Sequence, residues 1–163
     1  MGWGYGFECK KCKKEYSFHL GVGMMMPRVF ERTIDEVNEG AWGEECKKVL
    51  NSERFVVPDI EKELYICKSC GRWSVEQNMN MYAPNNPETI LHQKYGIKTV
   101  EEWGKIPYVM RWQLEKDYHR IKSWIHICEC GKRLHKASKA EMENLACPYC
   151  GTINTMKDYI NWD

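Results

Sequence analysis

An α+β architecture is what this sequence predicts, on three observations. Nine cysteines are present, and eight of them form four close pairs: Cys9/Cys12, Cys67/Cys70, Cys128/Cys130 and Cys147/Cys150. Stretches that alternate at period two, the signature of strands, lead into these pairs. Apolar residues at helical spacing occupy the long intervals between them.

The chain of 163 residues suffices for one domain of ordinary size or two small ones. A hydrophobic fraction of 43% can form a core, and 29% charged residues with a mean hydropathy of −0.63 describe a soluble surface. No apolar run approaches the length of a membrane span. Residues 1–7 lack both the charged leader and the apolar centre of a signal peptide. The expected location is the cytoplasm, with no membrane partner. In that reducing compartment paired cysteines bind metal more often than they form disulfides.

The elements follow in order. Gly2, Gly4 and Gly6 alternate with Trp3, Tyr5 and Phe7, which predicts an edge strand with one aromatic face. Its glycine face implies close approach of another backbone or of a metal-binding turn. Residues 16–22 suit the return strand of a hairpin around the first cysteine pair. Met24, Met25 and Met26 read as core filler beside a strand-to-helix joint. Pro27 opens a helix over residues 27–38, with Val29, Phe30, Ile34 and Val37 on one stripe. A second short helix spans 41–51 and carries Cys46, read as a small buried hydrophobe. Residues 27–66 hold six basic and ten acidic side chains, an unlikely nucleic-acid face.

Residues 64–66 form a short strand into the second pair, and 73–81 a strand out of it. Pro84 and Pro87, flanking two asparagines, read as a linker. The boundary is therefore placed near residue 84, giving 1–84, with an acidic helical insert over about 24–63, and 85–163. Helices are expected over 87–95, after Thr99 with its capping partner Glu102, and over 107–116. Residues 118–127 return to period two and deliver the third pair. The second cysteine unit covers about 118–163, with a short strand near Leu134, a helical turn near Ala140 and a final strand.

Two cysteines separated by a short turn can present both sulfurs to one ion, and zinc takes four such ligands in a tetrahedron. The eight paired cysteines are therefore expected to hold two zinc ions. Gly71, Gly131 and Gly151 follow the second cysteine of their pairs, where the turn favours positive φ. Lys13 occupies that place in the first pair, which predicts a differently shaped turn. Each zinc tetrathiolate carries about −2, so two of them move the formal charge from +1 to about −3. Four half-sites can be joined in three ways. Loop closure favours the sequential one, Cys9, Cys12, Cys67 and Cys70 in one site and Cys128, Cys130, Cys147 and Cys150 in the other, over a cross-braced alternative. His126 and His135 are alternative ligands beside the third pair, since a three-cysteine, one-histidine site is ordinary chemistry.

The pattern resembles the zinc ribbon, in which two knuckles at the tips of β-hairpins clamp one ion. Residues 127–153 carry the resemblance closely, and residues 7–75 carry it with the insert removed. The whole chain looks like uncharacterised bacterial proteins with two zinc ribbons and helical insertions. That resemblance implies metal binding and an α+β fold of two ribbon units.

Three classes of function are weighed. The first is binding without catalysis, as a protein-binding adaptor. Its alternative is a nucleic-acid-binding ribbon of transcription or mobile-element type, contacting phosphates through Lys10, Lys11, Lys13, Lys14, Lys132, Arg133, Lys136 and Lys139. The charge balance and the acidic insert favour a protein partner. The second class is a redox enzyme, because Cys147-Pro148-Tyr149-Cys150 is identical to the glutaredoxin tetrapeptide. Only residues 151–163 follow it, too few for a thioredoxin-like sheet. The third is a hydrolase, for which four-cysteine sites leave no open position, and His119 near Asp117 is the sole pairing of base and carboxylate. No catalytic residue is assigned.

Overall fold

The computed structural model describes residues 2–156 and 158–162. It shows the expected α+β class, built from short helices and small antiparallel sheets. The contacts do not divide the chain at residue 84. They group residues 1–24, 61–77 and 125–163 into one unit and residues 25–60 and 78–124 into another. All eight paired cysteines lie in the first, the cysteine unit. The two inserts assigned to separate domains instead share the second, the helical unit.

In the cysteine unit the strand Gly2–Glu8 is central rather than at an edge. It pairs on one side with Glu15–Leu20 and on the other with Asp158–Trp162. Glycine permits this crowding. A Cβ on Gly4 would lie 2.1 Å from the carbonyl oxygen of Phe18 on the neighbouring strand. Gly4→Ala therefore forces the central strand to shift. The expected cost is about 1–3 kcal/mol, the range for an overpacked site, read as a lowered thermal midpoint of the metal-loaded protein. A second sheet orders His135–Lys136, Lys62–Ile66 and Trp73–Gln77, and a third pairs Asn144–Ala146 with Ile153–Thr155. The first two are joined by reciprocal backbone hydrogen bonds between Gly21 and Lys62. Phe18, Leu20, Leu64, Ala137 and Leu145 form the buried core among them. Trp73 packs on Phe18 at 5.5 Å and donates its indole N–H to the Ala146 carbonyl at 2.8 Å.

The helical unit has its own core of Val37, Cys46, Leu50, Val56, Met79, Met81 and Ala83. The helix Met26–Asn38 carries Pro27 in its first turn, as the sequence predicts, and lays Phe30, Thr33 and Val37 inward. The helix Glu44–Leu50 buries Cys46, whose thiol is pushed up to about 11 by burial, in line with a small hydrophobe. Met24 and Met25 are 65% and 53% exposed, so the methionine run is not core filler. Nor is the stretch 84–87 a linker. Met81–Pro84 is a strand between Val57–Pro58 and Tyr118–Lys122. Asn86 then caps the helix Pro87–Leu91 through its side chain, which accepts from the Glu88 N–H at 3.1 Å. Proline and asparagine here mark a helix start rather than a break. That helix ends at Leu91, short of the expected residue 95, because Lys94–Tyr95 turns back on Lys98–Thr99. Thr99 and Glu102 make the expected capping box on Val100–Trp103. Among the described residues no helix is long and apolar enough to cross a membrane.

Candidate metal centres

Four backbone turns build the centres, and three repeat one design. In the first pair the Cys9 N–H donates to the Lys14 carbonyl and the Lys13 N–H to the Cys9 carbonyl, at 2.9 Å each. The same two bonds recur at Cys67 with Arg72 and Gly71, and at Cys147 with Thr152 and Gly151. The residue after the second cysteine has positive φ in each turn: 60° at Lys13, 72° at Gly71 and 70° at Gly151. Lys13 therefore adopts the glycine conformation, and the differently shaped first turn predicted from it is not formed. The turn at Cys128 and Cys130 is one residue tighter. Its Cys128 N–H bonds to Lys132 and its Gly131 N–H back to Cys128, with Gly131 at 77°.

The knuckles join in a nested order, first with fourth and second with third. Cys9, Cys12, Cys147 and Cys150 form the outer centre. Cys67, Cys70, Cys128 and Cys130 form the inner one. The sequential pairing is thereby corrected, and the cross-braced one is not seen either. Strand pairing is the cause. His135–Lys136 pairs with Lys62–Ile66, which sets the third knuckle against the second. In each centre all four sulfurs lie within 4.8 Å of one another. The contacts between knuckles are Cys9–Cys150 at 3.5 Å and Cys12–Cys147, Cys67–Cys130 and Cys70–Cys128 at 3.6 Å. A disulfide needs about 2.0 Å. An ion bonded to four thiolates at about 2.3 Å holds its sulfurs about 3.8 Å apart, so the arrangement fits a metal ion. Each group could therefore hold one ion.

The thiols do not titrate alike. In the inner centre Cys67 is lowered to about 6, chiefly because the Cys70 N–H donates to its sulfur. In the outer centre burial pushes Cys147 up, but the Tyr16 hydroxyl and the Cys150 and Tyr149 N–H groups outweigh it, and Cys147 is lowered to about 6. Cys12 behaves in the opposite way. The Lys14 N–H favours its thiolate, yet burial and the sulfurs of Cys9, Cys147 and Cys150 raise it to about 11. Four packed anions resist complete ionisation, and a divalent cation supplies the countercharge that permits it.

The sequence does not reveal the side chains that hold the outer knuckles together. Asn154 is 4% exposed. It accepts from the Lys10 N–H at 3.0 Å and donates to Cys9 Sγ at 3.7 Å and to the Thr152 carbonyl at 2.7 Å. Tyr16 Oη lies 3.5 Å from Cys147 Sγ, and the Lys14 ammonium stands 3.4 Å from the centre of the Tyr149 ring. An asparagine four residues beyond Cys150 has no spacing signal; only the fold aims it. Asn154→Ala is expected to weaken metal binding at the outer centre by about 10–100-fold, as loss of such a supporting hydrogen bond does elsewhere. Competition with a chromophoric chelator would measure this, with the inner centre unchanged.

Neither candidate histidine belongs to a cysteine group. His126 packs on Tyr65 at 4.3 Å, and His135 Nε2 lies 2.9 Å from Glu141. His119 Nδ1 lies 3.1 Å from the Asn85 side-chain oxygen. Cys147 and Cys150 sit before the strand Ile153–Thr155, not at the start of a helix, which removes the glutaredoxin likeness. Of the eight basic candidates, Lys13 pairs with Glu8 at 3.3 Å, Lys136 bonds to Glu63 at 2.6 Å, and Lys14 is held on Tyr149. Lys10 and Lys11 border the outer centre and Lys132 and Arg133 the inner one, all exposed; Lys139 begins the helix Lys139–Glu143. No family model, no curated protein and no solved structure matches this chain.

Proposed function

We propose that the chain binds two zinc ions as structural centres and acts as a protein-binding adaptor rather than a catalyst. The observation that carries the reading is the convergence of four sulfurs at each centre. Four thiolates complete the tetrahedron of zinc, and all-sulfur tetrahedral sites select zinc over hard divalent ions. Such a centre leaves no position for substrate, so its work is to hold knuckles in place. A protein partner is supported by the exposed apolar side chains near the outer centre, Tyr149 and Ile153, 69% and 52% exposed. The internal engagement of Lys13, Lys14 and Lys136 weakens the phosphate-contact reading.

Elemental analysis of the purified protein should give two zinc equivalents per chain, and cobalt substitution should give the intense visible bands of tetrahedral thiolate coordination. Recovery from the native host should retain a protein partner after nuclease treatment. Fewer than two metal equivalents would defeat the zinc assignment. Recovery of nuclease-sensitive material alone would defeat the protein-binding one.

A further inference from the structure

The helical unit contains a cavity of about 370 Å³ between the helix Met26–Asn38 and residues 51–57. That volume is at the small end of ligand pockets and suits one or two anchored side chains. Its floor is apolar, from Phe30, Leu50 and Ile106. Its walls are acidic. Glu31 and Asp35, four residues apart on the helix, line the cavity together with Glu53 of the 51–57 segment. Nearby carboxylates are neutralised: Glu36 by Arg32, and Glu45 by Lys122. Among the described residues no ion pair engages Glu31, Asp35 or Glu53. Lys105 also lines the groove.

A further lining residue, Phe55, has a φ of 66°, a left-handed conformation costly for a bulky side chain. Its ring lies under the Arg54 guanidinium at 4.7 Å. An apolar floor between unpaired carboxylates is complementary to a ligand that is apolar at its anchor and cationic along its flanks.

We propose that this groove binds a basic, apolar-anchored peptide segment of a partner protein. An aliphatic side chain enters the floor, and lysine or arginine side chains on either side meet Glu31, Asp35 and Glu53. The carboxylates come from two segments, the helix and residues 51–57, which suits spaced cations on a chain better than a single amine. The anchor supplies affinity and the carboxylates set the sign and register of the ligand. The proposal rests on the protein-binding reading above and names the chemistry of that partner.

The test uses the full, zinc-loaded chain and fluorescein-labelled peptides read by anisotropy. A peptide alternating leucine and lysine should bind, and one alternating leucine and glutamate should not. One alternating serine and lysine should bind at least about tenfold more weakly, for want of an anchor. The double variant Glu31→Gln, Asp35→Asn should lose about tenfold in affinity for the leucine–lysine peptide. Glu39→Gln, just past the end of that helix and outside the groove, should lose nothing, and circular dichroism should be unchanged in both.

Equal binding of the leucine–glutamate peptide, or full binding by the double variant, would overturn the proposal. So would competition by free spermidine with no preference for leucine, which would mark a small-cation site. If a protein partner is still recovered from the host and ignores the double variant, the groove alone is refuted. If only nuclease-sensitive material is recovered, the protein-binding reading fails first.

Discussion

Stripping metal from the purified protein with a strong chelator should unfold the cysteine unit and leave the helical unit folded. The cysteine unit is assembled from three separated pieces of chain around a small buried cluster of Phe18, Leu20, Leu64, Ala137 and Leu145. A core that small falls short of the ordering entropy of its backbone, and an ion at each cysteine group would supply the balance. A structural zinc ion contributes about 10–16 kcal/mol in small zinc domains, comparable to the whole stability of an ordinary domain. The helical unit holds no paired cysteine and has its own core around Val37, Met79 and Met81. Hydrogen exchange should therefore show loss of protection over residues 2–20, 62–77 and 127–155 while residues 28–37 and 79–83 stay protected. Uniform loss over both units, or no loss at all, would contradict the account.

The second large effect concerns which cysteines share an ion. Replacing Cys9, Cys12, Cys147 and Cys150 together by serine should leave one zinc equivalent, because the inner centre is untouched. Replacing Cys9, Cys12, Cys67 and Cys70 should leave none held tightly, because each centre then keeps only two sulfurs. A sequential pairing demands the opposite pair of results. The two variants lose the same number of thiols, so general damage cannot imitate the difference.

The cysteine knuckles were legible in the sequence and their pairing was not. Spacing within a turn is local, and Cys67/Cys70 announces a knuckle without reference to anything distant. Which knuckles meet depends on strand pairing over long separations, such as His135 with Ile66, and a two-residue strand leaves almost no sequence signal. Loop closure pointed to the sequential order, but its logarithmic dependence makes the nested order costlier by only about 1–2 kcal/mol. A few strand hydrogen bonds and the burial of Leu64 and Leu145 outweigh that.

The domain boundary misled for a related reason. Pro84, Asn85, Asn86 and Pro87 are turn formers in isolation. In the structure Pro84 ends a strand paired with Tyr118, and Asn86 begins a helix. The capping box at Thr99 and the proline at the start of Met26–Asn38 were readable because their partners lie three or four residues away. Asn154 was unreadable because its partners lie on the far side of the chain.

The nested wiring also sets an order on biosynthesis. The inner set is complete once Cys130 has been translated, 20 residues before Cys150 completes the outer one. Cys9 and Cys12 emerge first yet gain their partners last, because Cys150 must be translated before the outer set is complete. At ~5–20 residues per second the chain from Cys12 to Cys150 takes roughly 7–28 s to make. During that interval the earliest thiols lack the sulfurs they will face, and they are open to oxidants and to mispairing.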